Sequence, residues 1–468
     1  MRRSSIWPML LATMVSCLLG ASTQAGPNSV EPSCLVGLYR LPDRTVVDLA
    51  PSTPGTLRWR MLDGRTGALT SDKPGHWVST AGWTTRTDGI EMSTRGCDRH
   101  AVIFDHLAAA PVQLQTHETV FTSHGTRLAG RLVMPNGNGR VPIVVLIHGA
   151  EHDSARAFNY LQRMLPAQGV GAFVYDKRGT GESGGHYTQD FSVLADDAVA
   201  ALGVARRLAG KRAGRIGFQG GSQGGWVAPI AASRTRVDFV IVSFGLAVSV
   251  IDEDQEEVVL EMRLHGHDPA TIRKALEIAR AAERVFASNF TSGLAEFDAV
   301  RNRYRGEPWY RDVHGNYTWV ILPMTIAEIR AHAAEYRWGT PFSYDPMPLL
   351  RRLRVPQLWV LGGQDLDAPS EETSNRLRTL IGSGAPITLA VYPRSEHGMT
   401  EFELGPKGER VSTRYPQTYF AMLADYASHG GLDHRYGEAV ITKPKPGARH
   451  FQRRRSRRAG VPERQQGN

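Results

Sequence analysis

A serine, an acid and a histidine, in that order along the chain, are the residues here that can do hydrolytic chemistry together. Ser222 sits in Gly220-Gly221-Ser222-Gln223-Gly224, a G-x-S-x-G between a short apolar run (216–219) and a small-residue helix expected from Gln223. A serine at such a strand-to-helix bend must stand clear of its own backbone. Side chains at Gly220 and Gly224 would collide with the neighbouring elements, so glycine is required there. A serine hydroxyl at pH 7 is a poor nucleophile until a base takes its proton, and the base needs an orienting acid. Asp365 follows the apolar run 357–361 directly, and Asp367 stands in reserve two residues on. His397 follows the run 387–392, with Gly398 leaving the loop room to bend. Each candidate thus lies just past the C-terminal end of a strand-like segment.

The developing oxyanion needs two N–H donors. One is the backbone of Gln223, at the positive end of the helix that follows the serine. The second is expected from His148-Gly149-Ala150, after the apolar run 141–147, with the Ala150 N–H facing the serine.

The elements that must position these groups read as follows. From about Thr116, strands alternate with helices: 127–134, 141–147, 170–175, 216–219, 239–244, 357–361 and 387–392 as strands, and 154–168, 191–208 and 416–429 as helices. Continuous apolar strands in such alternation predict a doubly wound, mostly parallel α/β sheet. Residues 251–345 interrupt it with helical periodicity and a Trp/Tyr-rich stretch, a helical lid between the two parts of the core, 113–250 and 346–442. Trp309, Tyr310, Tyr317, Trp319, Trp338, Phe342 and Tyr344 form either the lid's own core or an apolar acyl pocket. Before the core, residues 26–112 carry short strand-like segments punctuated by Gly, Pro and Asp, a small β-rich region.

Residues 1–25 have the pattern of a signal peptide, with Arg2 and Arg3, an apolar run from Ile6 to Leu19, and small residues ending at Ala25. The expected location is secreted or periplasmic. Lipoprotein anchoring through Cys17 is disfavoured, because Met14 is a poor residue three positions before it. In an oxidising compartment the other two cysteines, Cys34 and Cys97, can form one disulfide. The net charge of +9 is local: residues 443–468 carry nine Lys/Arg against one acid, and Arg2 and Arg3 add two more. The rest of the chain is close to neutral, which argues against a nucleic-acid-binding face. The basic tail itself is too rich in Pro, Gly, Arg and Gln to pack and is expected to be disordered. The acidic run from Asp252 to Glu257 reads as a solvated first helical turn, or as a site for a substrate amine. The spacing of His265, His267 and Asp268 fits no regular metal motif. No cofactor or metal is called for.

Taken together, LIHGA (146–150), YDKRGTGES (175–183), GGSQGG (220–225), VLGGQDLDAP (360–369) and YPRSEHG (392–398) resemble the α/β-hydrolase superfamily. The D-x-R-G-x-G-x-S segment looks like that of serine esterases and of the related proline-iminopeptidase-like aminopeptidases. The resemblance covers residues 116–429. It implies hydrolysis of a carboxylic ester, thioester or amide through an acyl-Ser222 intermediate, on a small-molecule ester or a short peptide. It also implies a structural role for Asp176 and Arg178, pinning a loop by a salt bridge. An ester substrate is the first expectation and an aminopeptidase the alternative. A non-catalytic binding module on the same scaffold, or acyl transfer by the same residues, are the remaining readings.

Overall fold

The computed structural model describes residues 32–444. The segment expected to be a signal peptide, with Cys17 and Ala25, and the tail from 445 lie outside the described residues. The N-terminal part is a nine-stranded antiparallel sheet running from Gly37–Arg40 to Ala110–Pro111. Its strands follow one another as a meander. The segment 107–111 then pairs first with the seventh strand, at Ile103 and Phe104, and next with the first, at Tyr39 and Arg40. The sheet therefore curls upon itself around Tyr39, Leu49, Leu57, Trp59, Trp77 and Phe104. Cys34 and Cys97 are bonded, with 5.6 Å between their Cα atoms, and tie the chain entering this sheet to a hairpin at its far side.

A second nine-stranded sheet forms the core. Its strands are β1 (Leu114–Ser123), β2 (Thr126–Pro135), β3 (Val141–Ile147), β4 (Gly171–Tyr175), β5 (Ala213–Gly221), β6 (Phe239–Ser243), β7 (Gln357–Gly362), β8 (Ile387–Tyr392) and β9 (Val440–Thr442). They lie in the order β1-β2-β4-β3-β5-β6-β7-β8-β9. The run from β4 to β8 is parallel, while β1, β2 and β9 pair antiparallel at the edges. β1 and β2 meet at His124-Gly125, both with positive φ (44° and 76°), the geometry a two-residue hairpin needs. Alternate residues of the continuous apolar strands feed opposite faces. Ile143, Val145 and Ile147 pack with α1 (Phe191–Ala209) and α2 (Gly224–Arg234), whereas Val144 and Leu146 pack with the C-terminal helix (Tyr419–His429). Asp190 caps α1 by accepting from the Ser192 and Val193 N–H groups at 2.8 and 3.0 Å.

Between β6 and β7 the chain is helical: α3 (Val250–Leu264), α4 (Pro269–Ala287), α5 (Leu294–Tyr304) and shorter turns through Met347–Arg352. Of the aromatic residues singled out in this stretch, Trp309 and Phe342 are buried in its core, with Tyr310, Tyr317 and Tyr344 packed against it. Trp319 is exposed beside His314, and Trp338 packs edge-on against Tyr187.

Several elements differ from the sequence expectation. The helix expected over 154–168 is three short pieces, Ala155–Phe158, Leu161–Met164 and Pro166–Gln168. Ser154 does cap the first. Asn159 then turns extended (ψ 103°), its side chain accepts from the Leu161 N–H at 3.1 Å, and Pro166 interrupts the ladder again. The last helix begins at Tyr419 rather than 416, because Thr418 is left-handed (φ 67°). Strands Thr66–Lys73 and Leu114–Ser123, the edge strand Val440–Thr442, and the hairpin Thr400–Leu404 with Arg410–Arg414 carry too few apolar residues to be read from periodicity.

Candidate active site

β5 delivers Ser222 to a bend in which the residue itself is left-handed (φ 49°). The glycines around it are there because backbone passes too close for a side chain. A Cβ on Gly220 would lie 2.0 Å from the Gly224 carbonyl oxygen, and one on Gly224 would lie 2.5 Å from that of Ile147. Gly225 N–H donates to the Ser222 carbonyl at 2.7 Å, so α2 starts directly behind the serine. Gln223 is the last residue before that helix.

The loops after β7 and β8 are stitched together. Gly363 N–H donates to Tyr392 O and Gln364 N–H to Ser395 O, both at 2.8 Å. A Cβ on Gly362 or Gly363 would meet the opposite loop's backbone at 2.6 and 2.9 Å. This stitching brings Asp365 to His397. Asp365 is 3 % exposed and accepts from the Asp367 and Ala368 N–H groups at 3.1 and 2.8 Å. Its carboxylate oxygens lie 3.2 and 3.1 Å from His397 Nδ1. On the other side of the ring, His397 Nε2 lies 3.2 Å from Ser222 Oγ. Asp367, the reserve acid, meets Asp365 through its backbone N–H. With Nδ1 protonated and facing Asp365, Nε2 is free to accept the serine proton.

Burial works to lower the His397 pKa, but Asp365, with Asp367 and Glu253 behind it, outweighs this and pushes the ring up to about 10. The ring is therefore biased toward imidazolium and must shed that proton before it can act as a base. Glu253, on the first turn of α3, is itself raised, by burial first and then by its acidic neighbours against the pull of His397. The rest of the acidic run is divided. Asp254 accepts from the Tyr317 and Thr318 N–H groups at 2.7 and 3.0 Å, and Glu257 accepts from Asn316 Nδ2 at 2.5 Å. Both are buried and hold the 316–318 loop, so the reading of a solvated turn fails for them.

The loop after β3 lies against the serine: a Cβ on Gly149 would be 3.2 Å from Ser222 Cβ. His148 Nε2 accepts from the Lys177 N–H at 3.3 Å, which leaves Nδ1 facing Glu151 at 3.5 Å. Burial lowers the His148 pKa, so the ring is neutral here. Lys177, Glu151 and Tyr187 were not picked out as site residues from the sequence. The contacts of Lys177 and Tyr187 with Gly149 and Ala150 span 28 and 37 residues and leave no local signal.

Asp176 and Arg178 pin loops, though not by pairing with each other. Asp176 accepts from Ser154 Oγ at 2.7 Å and from the Arg156 and Glu182 N–H groups, both at 3.0 Å. Arg178 forms a two-pronged ion pair with Asp197, at 2.7 and 2.6 Å. His267 pairs with Asp312 at 2.8 Å. Among the described residues no group of three or more His, Cys, Asp and Glu is placed to hold a metal ion. None of the described helices is long and apolar enough to cross a membrane.

A sheet of this order, with a serine at the bend after its fifth strand and a histidine and acid on later loops, defines the protein as a serine hydrolase of the α/β-hydrolase class. Residues 140–404, more than half of the chain, match the family model described as "Serine aminopeptidase, S33", and the chain belongs to that family. No curated protein matches it. Among solved structures, an esterase of Pyrococcus furiosus is 16% identical, with 61% of this chain and 84% of that one covered at a TM-score of 0.40. A Thermogutta terrifontis esterase is 21% identical, covering 60% and 91% at 0.34. The Pyrococcus horikoshii acylaminoacyl peptidase is 12% identical, covering 83% and 57% at 0.43.

Proposed function

We propose that the protein is an exported serine hydrolase that cleaves a carboxylic ester or thioester through an acyl-Ser222 intermediate. The observation that carries this reading is the unbroken line from Ser222 Oγ through His397 to buried Asp365, with links of 3.2 and 3.1 Å. Neutral His397 takes the serine proton as Oγ attacks the carbonyl. Asp365 holds the ring and stabilises the imidazolium that forms. The N–H groups of Gln223 and Ala150 receive the oxyanion. The imidazolium then protonates the leaving alcohol or thiol, and water, activated by the same ring, releases the acid. The helical stretch between β6 and β7 acts as a lid, with Glu253 within electrostatic reach of His397. The bond between Cys34 and Cys97 supports export to an oxidising compartment.

A second reading, an aminopeptidase, is favoured by Glu253. A carboxyl within electrostatic reach of His397 suits a substrate ammonium group. The ester reading stands first because Asp254 and Glu257 are committed to the 316–318 loop and Asp252 to the Ser249 N–H and Arg376, while Glu253 is the member of that run that acts on the His397 ring. Hydrolysis of p-nitrophenyl esters from acetate to decanoate, beside a panel of aminoacyl-p-nitroanilides, separates the two. Ester turnover with slow anilide cleavage is expected. Anilide cleavage without ester preference would reverse the order.

A further inference from the structure

The loop after β3 is held at two successive carbonyls. Lys177 Nζ donates to Gly149 O at 2.8 Å, and Tyr187 OH donates to Ala150 O at 2.5 Å. The two grips form one cluster, since the Lys177 ammonium lies 4.6 Å from the centroid of the Tyr187 ring. The ring is stacked on His152 at 3.6 Å. Tyr187 is also held from behind. Gln189 Nε2 donates to its hydroxyl at 2.9 Å, and Thr340 Oγ1 donates to Gln189 Oε1 at 2.7 Å. Every link runs in the same direction, from Thr340 through Gln189 and Tyr187 to the Ala150 carbonyl, so each bond strengthens the next. Thr340 belongs to the chain between β6 and β7, and the contact is doubled there by Gln189 N–H and Thr188 Oγ1 on Trp338 O, at 2.7 and 2.9 Å.

Lys177 is an expensive residue to place here. It is 3 % exposed, and burial lowers its pKa to about 8 against the support of Glu151. Packing alone does not call for an ammonium in such a position. Its partner explains it. The Gly149 carbonyl and the Ala150 N–H are two ends of one planar trans peptide and point in opposite directions. A cation fixed on the oxygen therefore aims the N–H the other way and draws electron density from it, which makes it a better donor.

We propose that Lys177 and Tyr187 are positioning residues for the oxyanion hole. Lys177 sets and polarises the Gly149–Ala150 peptide, and the Tyr187–Gln189–Thr340 chain ties that setting to the helical stretch. This rests on the acyl-Ser222 reading and on Ala150 as a donor. The role is one of transition-state stabilisation, so it shows in kcat and in affinity for tetrahedral analogues, and hardly in KM.

The test uses the full chain with p-nitrophenyl acetate, an alkyl trifluoromethyl ketone as tetrahedral analogue, and fluorophosphonate labelling of Ser222. Lys177→Met is expected to lower kcat about 30-fold, less than removal of a donor outright, with KM within about threefold of wild type. The ketone should weaken by a similar factor. Tyr187→Phe, which keeps the ring and its stacking, should cost roughly tenfold in kcat, and Thr340→Val about twofold to threefold. Wild-type kcat and ketone affinity in Lys177→Met would overturn the proposal, as would a raised KM with kcat unchanged. If Lys177→Met does not fold, Tyr187→Phe decides, and full kcat in that variant overturns the proposal. Failure of fluorophosphonate to label wild-type Ser222 would instead remove the underlying reading, and is seen before any variant is compared.

Discussion

The two halves of the site are held in different ways. Ser222 is positioned chiefly from within a short stretch of sequence: strand β5, Gly220 crowded by the Gly224 carbonyl to 2.0 Å, and the helix that begins two residues later. His397 is positioned from far away. Its loop runs into the hairpin Thr400–Leu404 and Arg410–Arg414, and that hairpin is clasped by the N-terminal sheet. Trp83 N–H donates to Ser412 O at 2.8 Å, Tyr415 N–H to Gly64 O at 2.9 Å, and Arg414 to Asp63 O at 2.7 Å. Arg86 pairs with Glu403 at 2.7 Å, and the Arg58 guanidinium lies 4.0 Å over the Trp83 ring, which meets Tyr415 edge-on. A buried ion pair, Asp48 with Arg163, fastens the same sheet to the segment after β3. The contrast assigns the N-terminal sheet a mechanical part: it buttresses the base, while the nucleophile supports itself.

That difference predicts unequal responses to damage. The largest effect belongs to the elbow. Gly220→Ala forces backbone apart beside the nucleophile, and kcat should fall by about 10²-fold or more with the rest of the fold intact. Near-normal turnover would mean the bend has slack that the 2.0 Å approach denies. Trp83→Ala comes next. It removes one cation–π and one aromatic contact, a loss of about 1–2 kcal/mol. A lower unfolding midpoint and a kcat reduced a few-fold are expected. A lower midpoint with kcat unchanged would show that the His397 loop holds itself.

The smallest effect is electrostatic. Because His397 is raised to about 10, its base form grows as pH rises, and kcat/KM should climb through the alkaline range. The stability that the raised ring contributes is present below its unfolded value near 6.5 and is lost as pH rises through about 10. Glu253→Gln removes a carboxyl that ranks behind Asp365 and Asp367 among the causes, so the limb should move to lower pH by less than about one unit. A pH profile identical to wild type would place Glu253 outside the site.

The same contrast explains what could be read from the sequence. Ser222, Asp365 and His397 were legible because each follows an apolar run, and a strand buried on both faces leaves an unmistakable pattern. The clasp on the His397 loop was not. Trp83 and Ser412 are 329 positions apart, and the hairpin that carries Ser412, with Glu401, Glu403, Glu409 and Arg410, reads as a polar loop. Thr66–Lys73 was missed because Leu69 is its one large apolar residue. The break at Asn159 depends on a side-chain bond to backbone that periodicity does not register. Lys177 gave no signal of its own within YDKRGTGES, since its partner is a carbonyl 28 positions earlier.

The central claim is that Ser222 is the nucleophile. Incubating the wild type and Ser222→Ala with a fluorophosphonate, and following p-nitrophenyl acetate hydrolysis in parallel, tests it directly. The account predicts one covalent adduct on Ser222 and ester turnover in the wild type. In the folded variant it predicts no adduct and a rate lower by at least about 10⁴-fold. Turnover that survives in Ser222→Ala, or an adduct on another residue, would contradict it.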